Sequence, residues 1–199
     1  MFSERVQSRS DRRNETRLHV ISVAERLFRE QGFSATSIRQ IAIEAGVSTG
    51  TVMAAGDKGA LLVAVFESAV ATMQREQRRP VTAPDGDAGE RILALLQPFL
   101  ELFSSDEKLS REYAALLVRG SHDSVIFTRL ADELLQSLTH EFTRSGLSPE
   151  RAAAASRTVY FAYLGILFAW AGSGSDLPAA LRELRSIVAV ISSSPDSES

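Results

Sequence analysis

The chain of 199 residues lacks cysteine, which excludes disulfides, thiolate metal sites, cysteine nucleophiles and thiol redox sensing. Its three histidines, His19, His122 and His140, do not fall at the spacing of metal ligands. The sequence also contains no HExxH, P-loop or GxSxG motif. We therefore expect no enzymatic activity, no metal site and no cofactor.

Long apolar runs are missing as well. The longest one, with glycine and tyrosine counted as apolar, extends from Val159 to Ala171, which is too short to span a bilayer and suits a buried helix. The first residues are polar and have no apolar segment of the signal-peptide type. These features predict a cytoplasmic protein without a membrane partner.

The formal net charge of −3 does not by itself suggest a nucleic-acid partner, but the charge is unevenly distributed. Residues 1–58 contain nine basic and seven acidic residues, so the remaining residues carry a net charge of −5. A weakly basic N-terminal part and an acidic remainder are typical of a chain in which only the N-terminal part contacts phosphates.

The stretch from Thr36 to Val52, TSIRQIAIEAGVSTGTV, has the spacing of a helix-turn-helix. Thr36 is predicted to cap the first helix, Gly46 to end it in a left-handed conformation, and Ser48 to cap the second. In such a motif the first helix crosses the DNA backbone and the second enters the major groove. A helical hairpin within an ordinary all-α domain would share this spacing. The apolar face of the first helix consists of Ile38, Ile41, Ala42 and Ala45.

Every other long segment has helical periodicity, which predicts an all-α fold of about nine helices. A support helix is expected from about Asp11 to Gln31, and a long helix capped by Asp57 follows the motif. Five further helices follow at about 90–103, 106–119, 125–144, 150–171 and up to Ile191. The predicted organisation is a disordered arm at residues 1–10, a helix-turn-helix DNA-binding domain at residues 11–56, a ligand-binding and dimerisation domain at residues 57–192, and a disordered tail at residues 193–199.

Four arginines lie in or beside the predicted arm, namely Arg5, Arg9, Arg12 and Arg13. They could reach DNA phosphates or a minor groove, or they could belong to a solvated tail.

The last two predicted helices have broad apolar faces that suit a four-helix bundle across a two-fold axis. Apolar residues of the final helix step by four and three, which is the pattern of a narrow packing seam. The alternative is that both faces are buried within the monomer. The predicted dimer interface consists of Val159, Ile166, Trp170, Leu177, Leu181, Leu184 and Val188.

Residues Ala24 to Leu62 strongly resemble the N-terminal DNA-binding domain of the TetR family of bacterial transcriptional regulators. The matching pattern is A..LF.E.GF..TS...IA..AGVS.GT, followed by the start of a K..LL helix. The resemblance implies a homodimer, usually a repressor, that binds a palindromic operator in double-stranded DNA and is released by a small molecule. By matching position, it implies that Thr36, Ser37 and Arg39 contact the DNA backbone, that Ser48, Thr49, Gly50, Thr51 and Met53 lie on or beside the reading surface, and that Lys58 contacts a phosphate.

The segment TVMAAGDK departs from the family pattern, which usually places aromatic residues before the lysine, as in TVYxYFxxK. Met53 stands where a tyrosine is usual, and the segment is one residue shorter. The reading surface also lacks an Arg, Asn or Gln for a bidentate base contact, so specificity would depend on Arg39, the arm or DNA shape. An alternative function is a helical protein–protein adaptor with a degenerate DNA-binding head. A third alternative, a small-molecule-binding or enzymatic bundle, lacks a nucleophile–base pair.

The resemblance places the effector among the helices of the body, where aromatic residues are frequent. We expect a small hydrophobic or aromatic effector in a mostly apolar cavity, although plain core packing is the alternative for each aromatic residue. Its candidate polar anchors are Tyr113, Arg119, His122, His140 and Tyr163. The predicted lining consists of Phe66, Phe99, Phe103, Tyr113, Leu117, Phe127, Leu134 and Tyr163.

Overall fold

The computed structural model describes residues 9–77, 86–120, 125–173 and 177–192, with side chains left out at a few helix ends. These ranges contain nine α-helices and no strand, which confirms the all-α prediction. The predicted tail, most of the predicted arm and His122 lie outside the described residues, as do the side chains of Phe127 and Leu177. The helices are α1 (Arg9–Gln31), α2 (Ile38–Glu44), α3 (Thr49–Ala55), α4 (Lys58–Gln77), α5 (Ala88–Ser104), α6 (Glu107–Arg119), α7 (Val125–Arg144), α8 (Pro149–Ser173) and α9 (Leu177–Ser192).

Helices α1, α2 and α3 form a compact head around one apolar core. Val20 and Ala24 of α1, Ile41 of α2 and Val52 of α3 are all completely buried in it. Neither α2 nor α3 is long enough to be stable alone, so burial against α1 is what holds them as helices. Arg26 of α1 adds a salt bridge of 2.8 Å to Glu44 of α2.

Helix α4 links the head to the body, and its first half belongs to the head core. The six consecutive residues from Leu61 to Phe66 are all buried, so this part of α4 is covered on every side. Leu109 and Tyr113 of α6 complete the same core. The head core therefore extends beyond the helix-turn-helix into the second half of the chain.

Helices α5, α7, α8 and α9 enclose a second apolar core, which defines the body. Ile92 and Leu96 of α5, Leu138 of α7 and Val159 of α8 are completely buried there. Arg91 of α5 and Glu141 of α7 form a salt bridge of 2.7 Å, in which both side chains are mostly buried.

The second core corrects the predicted dimer interface. Val159, Trp170, Leu184 and Val188 are buried within the single chain, and Ile166 and Leu181 are half-buried. The four buried side chains are covered by helices of their own subunit, so they are not available for contact with a second subunit. The apolar spacing of α8 and α9 is present as predicted, and burial within the monomer, which was the alternative, accounts for it.

By length and composition alone, residues Pro149–Trp170 of α8 could cross a membrane, since a stretch of the helix has a mean hydropathy of 1.3. The bent pair formed by α3 and α4 meets the same test if its two parts are taken together. Both are weak indications, because core helices of soluble proteins have the same composition. The α8 helix packs against α7 and α9, and its Ser156 is completely buried and hydrogen bonded.

Candidate functional site

Helix α2 begins one residue later than its sequence suggested. Ser37 is the N-cap, and its side chain accepts from the backbone N–H of Gln40 while the Gln40 side chain accepts from the N–H of Ser37. The prediction that Thr36 is the cap is therefore wrong. Thr36 is buried instead, and its hydroxyl lies within hydrogen-bonding distance of the carbonyls of Leu27 and Gly32. Its hydroxyl is thus engaged inside the head and is not free to meet DNA.

The turn between α2 and α3 has the geometry that the sequence predicted. Gly46 has a φ of 64°, its N–H donates to Ile43, and the N–H of Val47 donates to Ala42. These two bonds define a Schellman motif, in which glycine is favoured because the backbone is left-handed. Ser48 then caps α3 by accepting from the N–H of Thr51. The turn therefore fixes the angle between α2 and α3.

Helix α3 buries one residue and leaves most of the others open to solvent. Val52 is completely buried in the head core, whereas Thr49, Gly50 and Met53 are exposed. Thr51 is half-buried, and its hydroxyl lies 2.9 Å from that of Ser48. The predicted reading residues therefore lie on one small, mostly uncharged surface. Among the predicted backbone contacts, Ser37 and Arg39 of α2 are exposed.

An open groove runs between α3 and the first turns of α1. The α1 wall carries four arginines whose spacing places them on one helical face, and the α3 wall carries hydroxyls and small side chains. Three of the four were candidate DNA contacts from the sequence, and Arg17 was not among them although its spacing places it on the same helical face. The arginines are Arg9, Arg12, Arg13 and Arg17.

Lys58 begins α4 and reaches back to the turn that precedes α2. Its ammonium donates to the carbonyl oxygens of Thr36 at 2.9 Å and Ser34 at 3.3 Å, and lies 4.4 Å from the centre of the Phe33 ring. Since an ammonium has three N–H donors, one remains for a further partner.

The shortened segment after α3 ends that helix at Gly56, whose φ of 148° is a conformation that side chains disfavour. A Cβ atom at this position would lie 2.7 Å from the Cβ of Ala60. Asp57 follows as the predicted N-cap of α4 and accepts from the N–H of Ala60. Two residues without aromatic side chains therefore make the connection from α3 to α4.

The body contains an apolar cavity with a volume of about 80 Å³. Six of the eight predicted residues line it, namely Phe99, Phe103, Tyr113, Leu117, Leu134 and Tyr163. Phe66 does not line it, but its ring stacks on Tyr113 at 4.3 Å and on Phe103 at 5.6 Å. This stack joins the head core to the wall of the cavity. The candidate anchors Arg119 and His140 are exposed and do not line the cavity.

Tyr160 and Trp170 also line the cavity, although neither was among the lining residues predicted from the sequence. Burial raises the pKa of Tyr163 far above its ordinary range, and the pKa of Tyr160 is raised by burial and by the nearby Asp132 carboxylate. Both hydroxyls therefore stay protonated at neutral pH. Among the described lining residues none is charged, and no described group of His, Asp and Glu could hold a metal ion.

Residues 20–65 match the family model of bacterial regulatory proteins of the TetR family. The HTH-type transcriptional regulator HbdR of Aromatoleum sp. (strain CIB) is 41% identical over 68 residues, which are 34% of this chain. The matched segment spans only 30% of that relative's length.

The fold of the whole chain is similar to that of solved structures. Thermus thermophilus FadR, a transcriptional repressor in complex with lauroyl-CoA, has a TM-score of 0.68 and 23% identity, with 92% of this chain and 98% of that chain covered. BioQ with its double-stranded DNA operator has a TM-score of 0.60 and 22% identity, with 87% of this chain and 98% of that chain covered. The match of residues 20–65 and the nine-helix fold of the described residues agree, and the head of the chain is similar to the DNA-binding domain of the TetR family of bacterial regulatory proteins.

Proposed function

We propose that the protein is a transcriptional repressor that binds a palindromic operator as a dimer and is released by a small hydrophobic effector. The observation that carries the proposal is the groove between α1 and α3, where arginines face the hydroxyls of the helix-turn-helix. Basic side chains beside a second helix with exposed small polar residues suit phosphate contacts around a major groove. Such a protein would act in the cytoplasm.

The head would hold DNA mainly through its backbone. Arg12 and Arg13 would neutralise phosphates on one side of α3, and Ser37 and Arg39 would do so at the start of α2. The described part of the chain offers no salt-bridge partner to Arg39, whose guanidinium is exposed. Thr49 and Met53 would meet base edges and thymine methyl groups. Thr36 is not among the proposed contacts, because its hydroxyl is hydrogen bonded inside the head.

The outer faces of α8 and α9 would form the dimer contact in place of the buried residues first considered. Phe161 and Phe168 on α8 and Val190 on α9 are large apolar residues that remain exposed in the single chain. Gly165, between the two phenylalanines, is also exposed and has open space around it. Large apolar residues beside a small one permit two helices to approach closely, and a two-fold axis would pair each face with its own copy.

Binding of the effector in the cavity would affect the head through α4 and α6, because both helices contribute to the cavity and to the head core. Val70 of α4 lines the cavity, while Leu61 and Leu62 of the same helix lie in the head core. Tyr113 lines the cavity and stacks on Phe66. A ligand that displaces these groups would therefore change the spacing of the two heads, and a coupling of about 1–3 kcal/mol would suffice for release.

The deciding test is binding of the purified protein to DNA from around its own gene, measured by fluorescence anisotropy over a range of salt concentrations. We expect operator binding that weakens steeply with salt and is lost in the Thr51→Ala, Lys58→Ala double variant. If the protein bound no such DNA, the repressor proposal would fail.

The missing aromatic residues at Met53–Gly56 favour a second candidate, a protein–protein adaptor with a degenerate head. In that case the double variant would behave as the wild type in its partner interactions, and neither protein would bind the DNA.

A further inference from the structure

The indole of Trp170 is a polar group in the described lining of the apolar body cavity that has no hydrogen-bond acceptor. This side chain is 5% exposed and lines the cavity. Its Nε1–H is buried, and none of the described residues accepts a hydrogen bond from it. Buried donors are nearly always paired, because an unpaired donor loses its hydrogen bonds to water and gains nothing in return.

We propose that Trp170 Nε1–H is the anchor for the effector, which is a neutral and largely apolar molecule with a carbonyl-type hydrogen-bond acceptor. This inference deepens the proposed function, because it rests on the cavity being the effector site. A donor that has no acceptor of its own selects an acceptor on the ligand, since indole nitrogen can only donate.

The other polar groups of the described lining are uncharged. The hydroxyl of Ser110 lies 2.6 Å from the carbonyl oxygen of Phe103 and donates to it. Tyr160 and Tyr163 keep their protons, so neither supplies a negative charge and both hydroxyls remain neutral hydrogen-bond donors. The cavity therefore offers a ligand neutral donors and no charge, and the Trp170→Phe variant tests whether the indole is the donor that holds the acceptor.

The charge of the lining sets the charge of the ligand. No lysine, arginine or histidine is among the described residues that line the cavity. An anionic group placed there would lose its hydration without gaining a counter-charge, which is strongly unfavourable. A carboxylate or a phosphate would therefore have to stay outside the cavity, while a ketone or an ester could enter.

The size of the cavity limits the ligand further. Pockets for drug-sized molecules have volumes of about 300–1,000 Å³, whereas this cavity measures about 80 Å³. Small molecules can be accommodated with modest side-chain movement, and larger ones would have to displace Tyr113 or its neighbours. We therefore choose small probes of matched shape for the test.

The experiment compares acetophenone with α-methylstyrene, in which a CH₂ group replaces the carbonyl oxygen, and with benzoate. Trp170 is the single tryptophan of the chain, so a ¹⁵N-labelled sample gives one indole N–H signal. We expect acetophenone to bind about threefold to tenfold more tightly than α-methylstyrene, as one neutral hydrogen bond predicts. Acetophenone should move the indole proton downfield, and α-methylstyrene should not. Benzoate should bind more weakly than either.

The Trp170→Phe variant keeps an aromatic ring and loses the donor, so acetophenone and α-methylstyrene should then bind alike. Equal affinities in the wild type, a discrimination that persists in the variant, or failure of both probes to bind would each overturn the proposal. Operator binding by the same samples is measured in parallel. If the protein binds its operator but does not discriminate between the probes, the anchor is wrong while the repressor proposal stands.

Discussion

The ammonium of Lys58 donates to the backbone carbonyl of Thr36 across 22 residues of sequence, at 2.9 Å. This contact ties the start of α4 to the turn before α2, and it makes Lys58 part of the frame of the head. The same residue is the one that the family resemblance assigns to a phosphate. The two roles are compatible, because two donors are used within the head and the third is left.

Lys58→Met keeps the aliphatic stem and removes the donors and the charge. We expect its Tm to fall, and its operator affinity to fall with a salt slope reduced by about one phosphate contact. The measurements are thermal unfolding and anisotropy titrations at several salt concentrations. The control is Lys108→Met on the exposed face of α6. A lower Tm with an unchanged slope would contradict the phosphate contact and leave only the structural role.

The arginines in the groove between α1 and α3 are expected to contribute to operator binding by electrostatic attraction alone. Arg12→Gln should weaken operator binding and lower the salt slope by about one, without changing Tm, because Arg12 is exposed. Arg111→Gln is the matched control, since Arg111 is exposed on α6 and forms a salt bridge to Glu107 within the same helix. An unchanged slope in Arg12→Gln would place this part of α1 away from DNA.

Two glycines at opposite ends of α3 should respond in opposite ways to alanine. Gly56→Ala should destabilise the head by about 1–3 kcal/mol, because the conformation at Gly56 is strained for other residues and Ala60 blocks the new Cβ. Gly50→Ala should be neutral or stabilising by up to about 1 kcal/mol, since its Cβ meets only Ser48 Oγ at 3.6 Å. Denaturant unfolding measures both. Equal stability of the two variants would show that Gly56 is not strained.

Alkaline pH should destabilise the folded protein through Tyr163. Because burial raises the pKa of this hydroxyl above its unfolded value of about 10, its contribution is complete below pH about 10 and is lost as the pH rises further. Tyr163→Phe should therefore lose less stability above pH 10, by about 1.4 kcal/mol per pH unit. The two proteins should have parallel stability between about pH 7 and 9. Parallel curves above pH 10 would contradict the burial of the hydroxyl.

The proposed dimer contact predicts that Phe161→Glu yields monomers in sedimentation velocity. Phe161 is 65% exposed in the single chain, so a charge there leaves the monomer intact and acts only across the interface. Val118→Glu on α6 is the control, because Val118 is similarly exposed at 71% but lies on a different helix. Dimers that survive Phe161→Glu would require another interface.

The local chemistry of the helices was predictable because it depends on near neighbours. The left-handed Gly46 and the Ser48 cap followed from residue type and position, and α7 has the bounds that its apolar spacing gave. The cap of α2 was misplaced by one residue because threonine and serine both suit the position. The glutamine three residues after Ser37 is the signal that distinguishes them, since it completes a capping box.

The prediction of the dimer interface depended on which surface covers an apolar face, and periodicity does not contain that information. The seam with Leu184 and Val188 is apolar whether a second subunit or α5 and α8 cover it. Trp170 was assigned to the dimer for the same reason, although it lines the cavity. Long-range packing decides such cases, because it depends on how the helices are arranged in three dimensions.

Leu109 and Tyr113 have a consequence for how the chain unfolds. Because these residues of α6 fill the core around Phe28 and Phe66, a fragment that ends after α4 would leave that core open on one side. We therefore expect that the DNA-binding head does not fold on its own and that the two cores melt in one cooperative transition. For the proposed repressor, this shared core means that any loosening of the body would also weaken binding to DNA.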